Sequence, residues 1–141
     1  MRLNECFEKR LLRKERPDPE KSRRSIEVAQ TKIDEAEKAL GVDLTDTAVI
    51  LAYTAMFHAA RAVLFKDGVI EKSHVCLIEY LREKYVKTRR LSEALTNTLG
   101  RMRIDRHETL YGLETERSKK DAECSLQKAE EFLSTVKAMI A

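Results

Sequence analysis

The chain has 141 residues, 43% of them hydrophobic, enough for one domain with a sizeable core. Four glycines and two prolines are too few for an all-β protein built on many tight turns, and the 36% of charged residues are mostly Lys, Arg and Glu, good helix formers at exposed positions. A formal net charge of +3 is too small to argue for nucleic acid by itself, so any such reading has to come from local clustering.

The expected architecture is all-α: an antiparallel bundle of four to five helices joined by short connections. It forms a single domain over residues 1–141, with 1–17 an N-terminal segment and the core bundle at about 18–140. Asn4 to Lys14, with Cys6, Phe7, Leu11 and Leu12 among charges, is at best a short amphipathic helix, interrupted at Arg16-Pro-Asp-Pro19. Asp18 reads as an N-cap with Pro19 at the first helical position. Ile26, Ala29, Ile33, Ala36 and Leu40 then keep helical spacing until Gly41. Thr45-Asp46 begins the most apolar helix, with Val49, Ala52, Tyr53, Met56, Phe57, Ala60, Val63 and Leu64. Its many alanines permit close helix approach and place it at the centre, and Asp67-Gly68 ends it. Tyr53, Met56 and Phe57 are expected in the core, and His58 reads as a packing histidine.

Ser73 caps a shorter helix running through Val75, Leu77, Ile78, Leu81 and Tyr85, and Lys87 to Arg90 is a basic connector. A helix from about Ser92 to Tyr111 follows, with Gly112 expected to end it at φ > 0. Ser118 with Asp121 resembles a capping box and opens a last helix through Ala122, Leu126, Ala129, Phe132, Leu133, Val136 and Ile140.

Chemistry is concentrated in one stretch, Arg101-Met-Arg-Ile-Asp-Arg-His107-Glu-Thr-Leu-Tyr111. On a helix, Arg103 and His107 share a face at i, i+4, Arg103 neighbours Arg106, and His107 neighbours Tyr111. Cations beside an imidazole and a phenol suit a phosphate-bearing ligand. The basic run from Lys84 to Arg106, opposed only by Glu93 and Asp105, could bind an anionic partner or be a solvated face. His107 could equally be an exposed histidine favoured by the helix dipole, Asp105 a partner for Arg101 across one turn, and Tyr111 a core residue.

Cys6, Cys76 and Cys124 are an odd, widely spaced set without a CxxC, so neither a zinc site nor a disulfide framework is expected. Three free thiols fit a reducing cytoplasm. No apolar run approaches the ~20 residues that span a bilayer, and no signal-like stretch follows Met1. The expectation is a soluble cytoplasmic protein. His58, His74 and His107 give no metal spacing, no Gly-rich phosphate loop is present, and no cofactor is expected.

Three segments together resemble the HEPN domains of bacteria and archaea: Ala52-Tyr-Thr-Ala-Met-Phe-His-Ala-Ala-Arg-Ala-Val-Leu64, Glu71-Lys-Ser-His74, and the arginine–histidine stretch followed by a helix with Ala129-Glu130-Glu131-Phe132. The resemblance spans roughly Ile26 to Val136. It implies a helical bundle that forms a homodimer with an arginine–histidine motif at the dimer cleft. It also implies a metal-independent endoribonuclease, often a toxin paired with a nucleotidyltransferase antitoxin, with RNA or a nucleotide as ligand. The family's motif is an Arg, four to six residues, then a His, and Arg101 with His107 satisfies it, although Met102 stands where a polar residue is common. A second branch has an Arg followed five residues later by Tyr, which Arg106 and Tyr111 match, with Thr109-Leu110 in place of the usual Ala-Asp. Arg101, Arg106 and His107 are then the catalytic candidates, and Arg103, Asp105, Tyr111 and His74 the binding ones. The alternative is a non-catalytic nucleotide-binding or interaction module that docks a nucleotidyltransferase.

Overall fold

The computed structural model describes residues 1–113 and 117–141. Four long helices carry the bundle: α2 (Pro19–Gly41), α3 (Thr45–Asp67), α5 (Glu93–Tyr111) and α6 (Lys119–Ile140), with the short α1 (Leu3–Glu8) and α4 (His74–Leu81) beside them. The all-α expectation therefore holds. The caps do as their side chains suggest: Asp18, Ser73 and Ser92 accept from the N–H groups of Lys21, Cys76 and Leu95. Ser118 and Asp121 form the reciprocal capping box.

α3 is the central helix, packed against α2, α5 and α6. Ala48, Ala52, Ala55, Ala59, Ala60 and Ala62 are fully buried, so backbones approach closely on several sides. The buried Ser22 hydroxyl is satisfied within this packing, since it donates to the Ala62 carbonyl at 2.7 Å. Contrary to the reading from uninterrupted apolar runs, α3 is long and apolar enough by composition to cross a membrane, but 61% of its apolar window is buried inside the bundle.

Two features of the N-terminal arm differ from expectation. First, only Leu3–Glu8 is helical. Arg10 takes φ 56 and the chain continues as strand β1 (Leu12–Lys14), antiparallel to β2 (Val69–Glu71) in the register Leu12↔Glu71, Arg13↔Ile70, Lys14↔Val69. Gly68 makes this possible. It ends α3 at φ 78, and a Cβ there would lie 2.5 Å from the Glu15 carbonyl oxygen. Second, the thiols are not three free groups. Cys6 and Cys76, 70 residues apart and both fully buried, form a disulfide that joins α1 to the first turn of α4, and Cys124 remains free and exposed.

After α4 the chain widens into a π-helical turn at Arg82–Val86, closed by the Lys87 N–H donating to the Arg82 carbonyl. On an α-helix, side chains five residues apart point about 140° away from each other. The wider turn instead lets Tyr80 and Tyr85 donate to the same oxygen, Asp67 Oδ2, at 2.9 and 2.6 Å. The uninterrupted helix expected through Tyr85 is thus replaced by one with an extra residue per turn.

Candidate functional site

α5 has two halves. Its buried stripe runs through Leu95, Thr96, Thr98, Leu99 and Met102, and no residue of the helix beyond Met102 is buried. The outer half is held by Arg117, whose Nε donates to Thr109 Oγ1 at 3.1 Å and whose Nη2 lies 3.4 Å from the Asp105 carbonyl oxygen and 3.8 Å from its carboxylate. Asp105 therefore pairs with Arg117, not with Arg101. Arg101 is exposed and donates to Thr98 Oγ1 at 3.1 Å. Gly112 ends the helix in an extended conformation at φ −74, not at the left-handed φ expected.

Among the sequence-predicted residues, Arg101 and His107 point about 120° apart round the helix and are not brought together within one chain. Arg101 lines a shallow groove with Met1, Val75, Ile78 and Asn97. His107 is exposed, its ring 5.0 Å from that of Tyr111. Tyr111 is 69% exposed, so it is no core residue.

Arg106 reaches a cluster centred on His74, and the charge of Arg103, which also lines the Arg101 groove, is felt there. The Arg106 guanidinium lies 5.7 Å from the ring centroid of Tyr53. The Tyr53 hydroxyl is 2.6 Å from His74 Nδ1, and the His74 ring stacks on Phe57 at 4.0 Å between centroids. Arg61 lies over both Phe57 and Phe65. Its Nε is 2.7 Å from Glu71 Oε1 but is not aligned as a donor to it, which makes the contact an ion pair. Tyr53 and Phe57 are thus more than core. Together with Arg61 and Glu71 they were missed as site residues, although Tyr53, Phe57 and Arg61 stand at i, i+4 and i+8, one stripe of the most apolar helix. His58 packs edge-on against Phe57 and stays outside the cluster.

Burial lowers the His74 imidazole below its ordinary range, and Arg106, Arg103 and Arg61 push the same way. Both effects favour its neutral form. Burial also lifts the Tyr53 phenol to about 12 against the pull of Arg106 and Arg103, so it keeps its proton. Glu71 is raised by burial, opposed by Arg61. Among the described residues neither Arg103 nor Arg106 has an acidic partner within ion-pair distance. Among the described residues, the site is a half-buried imidazole with two cations that lack an ion-pair partner, near an exposed imidazole and phenol.

Residues 22–139 match the family model described as HEPN domain. A "UPF0332 protein" of Archaeoglobus fulgidus is 35% identical over 114 residues, covering 74% of this chain and 88% of that protein.

Proposed function

The chain belongs to the HEPN domain family, and from that premise we propose that it is a metal-independent endoribonuclease, the toxin of a toxin–antitoxin pair, acting through the outer half of α5. The observation that supports this most is that Arg103, Arg106 and His107 stand within about one helical turn, outside the core, with Tyr111 beside the imidazole. RNA supplies its own nucleophile in the 2′-hydroxyl. His107 takes the proton of that hydroxyl, the 2′-oxygen attacks phosphorus, and the 5′-oxygen leaves with a proton. Histidine is the side chain most often used for such proton transfer. Arg106 stabilises the charge that develops on the phosphorane oxygens, and Tyr111 offers a face on which a base can stack. Arg106 is favoured over Arg101 as the arginine of the site because its guanidinium lies over Tyr53 beside His74. A second copy, docked over the exposed Ile104, Leu110 and Leu113, supplies the other proton-transfer group.

RNA cleavage in EDTA tests the proposal. His107→Ala and Arg106→Ala are each expected to lose about a hundredfold or more of the activity, and Arg101→Ala distinctly less. The second reading is a non-catalytic module that docks a nucleotidyltransferase, and the exposed Ile104, Leu110 and Leu113 next to the arginines favour it. No cutting above background by the wild type would leave this second reading standing.

A further inference from the structure

We propose that His74, Arg103 and Arg106 form a phosphodiester-binding subsite, with Tyr53 as the residue that positions His74. This deepens the function above and rests on its premise that this face meets RNA. Arg103 and Arg106 are like charges at i, i+3, an arrangement that destabilises a helix unless something compensates it. Both sit half-buried, and among the described residues neither has an ion-paired carboxylate, whereas Arg61, whose charge also reaches His74, pairs with Glu71. Among the described residues two positive charges are thus left over near one imidazole. A phosphodiester is the compensating group that arginines hold best, because its two free oxygens match the guanidinium fork.

His74 is prepared as the third contact. The Tyr53 hydroxyl lies 2.6 Å from Nδ1, and in the proposed subsite it donates its proton there, so that the neutral ring carries its hydrogen on Nε2. Stacking on Phe57 sets the ring plane. The half-buried ring then has Nε2–H left to donate to a phosphate oxygen. Its neutrality also avoids a third uncompensated cation when the subsite is empty.

The probe is a 2′-O-methyl RNA oligonucleotide, which binds but cannot be cut, followed by fluorescence anisotropy across a range of salt. His74→Asn is the informative variant, because its side-chain oxygen can still accept from Tyr53 while Nε2 is gone. We expect it to weaken binding about tenfold. Arg103→Ala and Arg106→Ala should each weaken binding and reduce the slope of log K against log salt by about 0.7. His107→Ala keeps binding. Nitrogen NMR of the imidazoles should show His74 as the Nε2–H tautomer, and Tyr53→Phe should mix the tautomers. Wild-type affinity in a folded His74→Asn protein, or an Nδ1–H tautomer in the wild type, overturns the proposal. Should His74→Asn fail to fold, unchanged salt slopes in both arginine variants overturn it instead. The two readings fail separately. A wild type that cuts nothing while His74→Asn loses the oligonucleotide refutes the nuclease and keeps the subsite. An inactive His107→Ala beside a His74→Asn that binds and cuts normally refutes the subsite and keeps the nuclease.

Discussion

Replacing both bridged cysteines, Cys6→Ala with Cys76→Ala, tests the covalent tie between the N-terminal arm and α4. The bond closes a loop of 70 residues. On the chain-entropy account, a loop of that length constrains the unfolded chain by about 4 kcal/mol. Both side chains are fully buried, and alanine fills nearly the same space without a polar atom, so packing adds little. With a urea dependence of about 2 kcal/mol per molar for a chain of this size, the unfolding midpoint should fall by about 2 M. Reductant should move the wild type equally and leave the double variant unmoved. Thiol titration of the unfolded, unreduced protein should find Cys124 alone. Three titrating thiols in that sample, or a midpoint indifferent to reductant, would refute the account.

Gly68→Ala puts a Cβ against backbone atoms, 2.5 Å from the Glu15 carbonyl oxygen and 2.9 Å from the Pro17 nitrogen, at φ 78. A loss of about 2–3 kcal/mol in urea unfolding is expected, together with loosening of the β1–β2 pairing. Acid should weaken the fold through His58 and His74. Both are held below the ordinary imidazole range, so the unfolded chain takes protons first, and stability present above about pH 6.5 is lost as pH falls through the lowered values. Thermal transitions followed from neutral to mildly acid pH should show this, with a shallower decline in His58→Gln. At alkaline pH the sign reverses. Tyr53, Tyr80 and Tyr85 are raised, by burial first and in the latter two by Asp67, so stability holds below about pH 10 and is lost above it. Tyrosinate absorbance should then rise together with unfolding.

Helix starts were legible in the sequence because capping is local: Asp18 before Pro19, Ser73 before His74, and Ser118 three residues before Asp121 each carry their partner within one turn. The alanine spacing of α3 likewise announced a helix approached from several sides. What was hidden depends on residues far apart in the chain. Strands of three residues are too short to show alternation, and Leu12 pairs with Glu71 across the whole of α2 and α3 in the chain. The same return of the chain brings Cys6 to Cys76. The arginine–histidine stretch could be recognised from its composition, but its neighbours could not. Tyr53 looked like core because its ring is buried, and only the placement of α4 shows that its hydroxyl serves His74. The extra residue at Arg82–Val86 left no pattern because Leu81 and Tyr85, at i, i+4, read as one unbroken α-helix.

The division of α5 at Met102 has a consequence for local opening. Amide hydrogens from Leu95 to Met102 can exchange only when the core itself comes apart, whereas those from Arg103 to Tyr111 are guarded by little beyond the helix and the Arg117 contacts. The residues proposed to meet the ligand thus sit on the part of the helix that frays first. A bound anion would slow exchange there selectively, and part of its affinity would be spent ordering that half-helix.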